Sequence, residues 1–289
     1  MAPRATTHDR RQRIAFATAA ALRAWATGGY VGYIENTIPL PLFNTVTQGN
    51  ALRLLDLLPN TCIDAVITDP PYSSGGQFRG DRTGKTSDKY QSSENRGIYE
   101  EFSGDTRDQR AYLHWCALWL GECWRVAKPG APICIFTDWR QLPATTDALH
   151  AGGWTWRGIV PWDKTEAARP QKGRFRAQCE YIVWGSKGAL WSEGDETRPC
   201  LAGVHRKAVN SSTKTHIAEK DLSLMRFLMQ IVAPRGVVLD CFTGSGSTLV
   251  AAAEAGLQYV GFELDSHWSE QAARRISATR MPLDFGEAA

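Results

Sequence analysis

Residues 237–265, VVLDCFTGSGSTLVAAAEAGLQYVGFELD, constrain the fold more than any other part of this chain. They read as an apolar strand, a Gly-rich turn, a helix and a second strand that ends on an acid. Gly244 and Gly246 let the backbone turn tightly and come close to a ligand, while the following helix presents free N–H groups. Glu263, at the tip of the second strand, stands where such folds accept both hydroxyls of a ribose. GSGST lacks the lysine of a GxxxxGK[ST] phosphate loop and departs from GxGxxG, which disfavours triphosphate hydrolysis and a pyrophosphate dinucleotide. Asp240, just before the turn, repels phosphate but attracts the ammonium of an amino-acid-bearing cofactor.

The same alternation runs through the rest of the chain. Further strands are expected at FNTVTQ near Phe43, DAVITD ending at Asp69, PICIFTD ending at Asp138, WTWRGIVPW around Ile159 and EYIVWGS around Val183. Helices are expected at ALRLLDLL, over residues 112–126, at LSLMRFLMQIV and at SGSTLVAAAEA. Strands alternating with helices predict a mainly parallel sheet. With 289 residues, 43% of them hydrophobic, the chain fits one large α/β domain with insertions better than two domains. Two regions break the pattern: 73–110, polar and rich in Gly, Ser, Asp and Arg, and 164–215, whose loops 164–178, with Lys164, Arg169, Lys172, Arg174 and Arg176, and 187–215 flank the strand around Val183. The first is long for a passive connection and reads as a substrate-contacting loop. The second reads as a basic surface for phosphate contacts, against the plainer reading of solvated charge.

The formal charge of +3 does not by itself announce a nucleic-acid protein; the distribution of charge matters more. Seven dispersed cysteines without a CxxC pair suggest neither a disulfide framework nor a zinc site, and a reducing cytoplasm fits them best. Residues 1–40 hold Arg4, Arg10, Arg11, Arg13 and Arg23 around IAFATAAALRAW, too short and interrupted to span a membrane. They read as a basic helical arm ahead of a catalytic domain over 41–289.

DPPY, residues 69–72, follows an apolar strand directly, which in an α/β sheet is the edge where ligands bind. Alone, it is a rigid turn with an aspartate capping backbone amides. Its composition also suits the methylation of an exocyclic amine, which needs neither a metal nor a covalent nucleophile. The nitrogen must be gripped by its hydrogens and aimed at an electrophilic methyl. The Asp69 carboxylate and Pro70 carbonyl supply two acceptors, Pro70 and Pro71 stiffen the turn, and Tyr72 offers a face to an unstacked base.

DPPY followed by LDCFTGSGST resembles the S-adenosylmethionine-dependent amino-methyltransferases of DNA, in their permuted beta class. The resemblance runs from about Phe43 to Ile276. It implies a Rossmann-like methyltransferase fold: a mostly parallel seven-stranded sheet, helices on both faces, with the catalytic strand before the cofactor strands. It also implies catalysis by Asp69, Pro70, Pro71 and Tyr72. The cofactor contacts it implies are Asn50, Asp69, Lys220, Asp240, Phe242, Thr243, Gly244, Ser245, Gly246, Ser247, Thr248, Glu263 and Leu264, with no metal. Gly49-Asn50 stands where the family has Gly-Asp, so an amide replaces a carboxylate. In THIAEKD, His216, Glu219 and Lys220 match the family's HPxEKP segment, whereas Ile217 and Asp221 replace its prolines. WDKTEAARPQKGRFRAQCEYIVWGSKG resembles the strands flanking the family's base pocket, which Trp162, Lys164, Phe175 and Glu180 would line.

The resemblance implies double-stranded DNA as partner and the amine of a flipped base as target. An aspartate at the first tetrad position leans toward N6 of adenine, with N4 of cytosine as the alternative. Ring-carbon methylation needs an attacking cysteine, and Pro199-Cys200 lacks the setting for one. RNA or glutamine methylation is met with tetrads that begin with Asn. A catalytically silent binding module would show a damaged tetrad or turn, and both are intact. A homodimer stays open, a stand-alone enzyme is the simpler reading over one with a separate nuclease partner, and no recognition sequence is legible.

Overall fold

A computed structural model describes residues 42–72, 107–168, 170, 172–208 and 220–279. The basic arm, most of the 73–110 insertion, Arg169, and His216 and Glu219 lie outside the described residues.

The elements, in order, are β1 (Thr45–Gln48), α1 (Ala51–Leu55), β2 (Ala65–Thr68), α2 (Gln109–Val126), β3 (Pro132–Thr137), α3 (Leu142–Ala151), β4 (Thr155–Asp163), β5 (Cys179–Ser186), β6 (His205–Arg206), α4 (Leu222–Met229), β7 (Val237–Asp240), α5 (Ser247–Glu254), β8 (Gln258–Glu263) and α6 (Ser266–Ala278). The strands form one sheet in the order β1-β8-β7-β2-β3-β5-β4-β6. Pairings from β1 through β3 are parallel, β5 runs antiparallel to both β3 and β4, and β4 pairs parallel with β6. A mostly parallel sheet is therefore present, in the permuted order. It has eight strands rather than seven, because β6 is a two-residue edge strand too short to show any periodicity. Helices α3 and α6 also lie beyond the four helices expected.

The central strands are apolar on both faces because helices cover both, and their alternation sorts side chains between two cores. Val66, Ile133, Ile135 and Leu239 pack with Leu55, Tyr112, Trp119 and Leu149 of α1, α2 and α3. Their neighbours Ile67, Cys134, Phe136 and Val238 pack with Leu224, Met225, Ala251 and Ala272 of α4, α5 and α6. With β2, β7 and β3 adjacent and parallel, the ends of all three open on one edge. DPPY and the Gly-rich turn are consequently neighbours across the sheet although far apart in sequence.

The basic 164–215 stretch divides between two edges. Residues 164–178 join β4 to β5 at the edge that carries Asp69. After β5, whose Ser186 pairs with Pro132 at the start of β3, the chain emerges at the opposite edge. There Trp191 donates to the Gly130 carbonyl, and Lys187 donates to the carbonyls of Trp124 and Ala127. The Arg198 guanidinium lies over Trp191. These cations are engaged in holding that part of the chain, so among the described residues the basic surface at the DPPY edge consists of 164–178 together with Arg206 and Lys207, which β6 brings back beside the end of β4.

Close packing of α5 on the sheet makes Gly261 a constrained position. A Cβ there would stand 2.3 Å from Leu249 Cδ1 and 2.8 Å from Thr243 Oγ1. Gly261→Ala is expected to cost about 1–3 kcal/mol by overpacking. Denaturant unfolding checks this, and an unchanged midpoint would show that the layer is looser than described.

Candidate active site

Thr68, the last residue of β2, fastens the two motifs together. Its hydroxyl donates to Asp240 Oδ1 at 2.7 Å, from one parallel strand end to the next. Asp240 is buried, and the same oxygen accepts the Phe242 N–H at 3.1 Å. Burial pushes its carboxyl up to about 6, hydrogen bonds from Thr68 and Thr248 pull against the rise, and the nearby Asp69 adds to it. Two neighbouring acids of raised pKa make a place that favours a cation.

The turn after Asp240 is built to be approached. Gly244 has φ +51, and nothing lies within 4 Å of where a Cβ would sit. Gly246, at φ +91, is closed instead against α6, where a Cβ would stand 3.0 Å from Ala272 Cβ. One glycine serves the open side of the turn, the other its packing. Arg275 on α6 braces the turn by donating to the Ser245 carbonyl and hydroxyl. Thr243 donates its N–H to the Phe262 carbonyl and its hydroxyl to the Asp240 carbonyl. Ser247 and Thr248 are buried in the first turn of α5, and Ser247 Oγ has no hydrogen-bond partner among the described residues.

Glu263 accepts the Gly244 N–H at 2.7 Å and the Asp265 N–H at 2.9 Å, one on each carboxylate oxygen. Burial raises its pKa, opposed by these backbone bonds. Each oxygen keeps a lone pair for a ribose hydroxyl. Leu264 beside it is half exposed, an apolar surface suited to a flat heterocycle. Phe242 sets its ring 5.2 Å from Trp115 and 5.3 Å from Trp119, an aromatic wall joining the turn to α2. Asn50 caps α1 by accepting the Leu52 N–H, while Gly49 donates to the Glu263 carbonyl, which holds this corner at the same edge. These groups fit a cofactor that carries a ribose, a heterocycle and a positive charge. An open glycine, an orphaned buried hydroxyl and paired acids are what such a ligand would meet.

Beside this slot lies a chain of alternating charges. Lys220 is buried, with its ammonium 3.1 Å from Asp69 Oδ2, 2.8 Å from Glu180 Oε2 and 3.4 Å from the Tyr72 hydroxyl. Lys164 pairs with the other Glu180 oxygen and stands 5.1 Å from the Trp162 ring centroid. Three protein oxygens surround the three ammonium protons of Lys220. That places Lys220 behind the tetrad, holding it, more than in the cofactor slot. Burial pushes Asp69 up to about 6 against the pull of Lys220. Burial would also raise Glu180, but Lys220 and Lys164 outweigh it and hold the carboxyl at about 2. Burial pulls Lys220 down; Asp69 and Glu180 prevail and keep it charged, its pKa well above the usual range.

Asp69 thus has one oxygen fixed by Lys220. Its Oδ1 is buried with no hydrogen-bond partner among the described residues. An acceptor left this way is costly unless a ligand completes it.

Of the other side chains expected at a base pocket, Trp162 is a core residue. It is 1% exposed, and its indole N–H donates to the Lys207 carbonyl. Phe175 is 99% exposed, unlike the buried Trp162. Cys200 is exposed, and among the described residues no three His, Cys, Asp or Glu side chains gather as a metal site. No described helix is long and apolar enough to cross a membrane. Thr68 and Arg275 escaped the sequence reading, since no local pattern tells which strand or helix will neighbour them.

Residues 63–274 match the family model described as DNA methylase, of the N6 and N4 type. YubD of Escherichia coli (strain K12), a methylase by name, is 28% identical over 242 residues, which cover 83% of this chain and 93% of its own. The type II methyltransferase M.HinfI of Haemophilus influenzae is 25% identical over 258 residues, covering 81% and 68%. A Thermus thermophilus protein named as a DNA modification methylase shares the fold with a TM-score of 0.59. It is 20% identical, over 82% of this chain and 95% of its own, and has also been solved complexed with S-adenosyl-L-methionine.

Replacing Glu180 by Gln should be strongly destabilising, because it leaves Lys220 and Lys164 short of their counter-charge; breaking such a buried pair costs about 3–5 kcal/mol. The carboxyl of Glu180 ionises at about 2 when folded against its usual 4.5. Its contribution is therefore complete above pH 4.5 and drains away as pH falls toward 2. Unfolding free energies measured across this range should show the gap between Glu180→Gln and the parent narrowing with acid. A gap independent of pH would remove the ion network as its cause.

Proposed function

Because this chain belongs to the N6/N4 DNA methylase family, we propose that it transfers the methyl group of S-adenosylmethionine to the N6 amine of an adenine swung out of double-stranded DNA. The observation that carries this reading is Asp69: one carboxylate oxygen pinned by Lys220, the other a buried acceptor without a protein partner among the described residues, at the strand end beside the Gly-rich turn.

S-adenosylmethionine supplies a methyl carried on a sulfonium. Asp240 and the open backbone at Gly244 accommodate its amino-acid end, Glu263 its ribose, and Leu264 and Phe242 its adenine. Asp69 Oδ1 and the Pro70 carbonyl accept the two amine hydrogens, which fixes the nitrogen lone pair toward the cofactor slot. Tyr72 stacks on the base, its hydroxyl steadied beside Lys220. The amine becomes acidic only as its new bond forms, so Asp69 takes the proton late and need not be a strong base. A carboxyl near 6 suits that exchange at neutral pH, and Lys220 keeps its orientation through the step.

An aspartate leading the tetrad supports adenine. N4 of cytosine presents the same kind of amine to the same grip and is the reading to be tested against it. Incubation with duplex DNA and methyl-labelled cofactor, followed by nucleoside mass spectrometry and sequencing that detects modified bases, is expected to yield N6-methyladenine at a defined site. N4-methylcytosine would replace adenine with cytosine, and no labelled base would end the transfer reading.

Asp69→Ala is expected to lower transfer by about 100-fold or more while cofactor binding, followed by calorimetry, persists. Loss of both together would contradict this separation of roles. Transfer by the parent should rise with pH through about 6 as the Asp69 carboxylate forms. A rate that is flat from about pH 5 to about pH 8, ~1 unit below to ~2 above that value, would show that its ionisation does not limit the step.

A further inference from the structure

We propose that Phe175 is a wedge that enters the DNA stack where the target base leaves it. The inference rests on the DNA-methylation reading above and adds the residue that stabilises the opened duplex.

Phe175 is 99% exposed, so nothing among the described residues accounts for a large apolar ring at this position. Single exposed hydrophobics are common on protein surfaces, but this one sits in a particular setting. Residues 172–177 are exposed without interruption and include Lys172, Arg174 and Arg176. The segment joins the end of β4 to the start of β5 and projects from the edge that carries Asp69.

The stem below the tip is braced. Lys164 N–H donates to the Gln178 carbonyl at 3.0 Å, and the Gln178 amide donates to Asp163 Oδ1 at 2.6 Å. Asp163 also accepts the Thr165 N–H, and Arg206 reaches both Asp163 and Glu166. Within the loop, Arg176 donates to the carbonyls of Glu166 and Ala168. Arg176 is thereby committed to shaping the loop, whereas Lys172 and Arg174 are left for phosphate. The stem ends on Lys164, whose ammonium pairs with Glu180 and through it with Lys220 and Asp69. The tip and the tetrad are thus joined through one bonded framework, and a duplex positioned by one is positioned for the other.

A base that rotates out leaves two neighbours unstacked, and that cost opposes flipping. An aromatic or apolar side chain inserted between base steps recovers part of it. Basic residues beside the wedge hold the backbone while this happens. An exposed Phe directly after the uncommitted cations Lys172 and Arg174, on a loop shaped by Arg176, has that composition.

The test uses the full chain and oligonucleotide duplexes bearing the site mapped by sequencing plasmid DNA modified by the parent protein. Phe175→Ala should lower methyl transfer to the intact duplex about ten-fold, the worth of one base–aromatic stack. Cofactor binding should be unchanged, and Phe175→Trp should keep most of the activity. When the target base faces an abasic site, so that it is already unpaired, the Phe175→Ala defect should shrink to within about two-fold. A Phe175→Ala variant as active as the parent on the intact duplex would overturn the wedge, as would an equal defect on both substrates. A parent that methylates no duplex DNA would instead overturn the reading on which the wedge rests.

Discussion

The Lys220 ammonium is the contact on which the site depends. Placing a cation in a largely buried position is unfavourable unless its protons are all received, and here two carboxylates and a phenol surround it. Those partners come from different parts of the fold: Asp69 and Tyr72 from the end of β2, Glu180 from the start of β5. One side chain therefore ties the strand that carries DPPY to the antiparallel part of the sheet. The cost of burying these charges is returned as position, because each group's orientation is determined by the next. A tetrad on an unsupported loop would hold an amine with far less precision.

The second connection, from Thr68 to Asp240, joins the DPPY strand to the Gly-rich turn. Together the two links leave Asp69 with little freedom. They also explain why its neighbourhood is poised and not neutralised: Lys220 occupies one oxygen, and Asp240 opposes the second charge. The acids remain receptive to a cation and to a proton at pH values close to neutral.

Much of this was legible in the sequence, and for a physical reason. The Gly-rich turn and DPPY are local: backbone conformation, side-chain chemistry and strand context lie within a few residues of one another. The central strands were equally clear, since a buried parallel strand is an uninterrupted apolar run. What escaped was the result of distant residues meeting. Thr68 looks like the last residue of a strand until β7 is placed beside it. Trp162 resembles a pocket aromatic by its place in WDK, but the sheet turns it into the core. Glu180 was visible as a candidate, yet its pairing with Lys220 spans 40 residues with no pattern to reveal it. The loops 164–178 and 187–215 were legible on either side of the strand around Val183, but their places at the sheet edges follow only from the direction of β5 and from β6 returning beside β4.

The permuted strand order also has a consequence for how the protein is made. β1 pairs with β8, and β2 with β7, so Thr45 meets Val260 and Ala65 meets Val238. During synthesis the strand bearing DPPY leaves the ribosome long before the partner that completes its flank, and the apolar run of β2 must wait with one side unpaired. Pairings this distant in sequence form late. The edge that carries DPPY and the Gly-rich turn comes together only once the last third of the chain has been translated, so an unfinished chain cannot assemble it. Such a chain does expose an unpaired strand that attracts other strands, which makes premature termination a route to aggregation and not to an enzyme of partial activity.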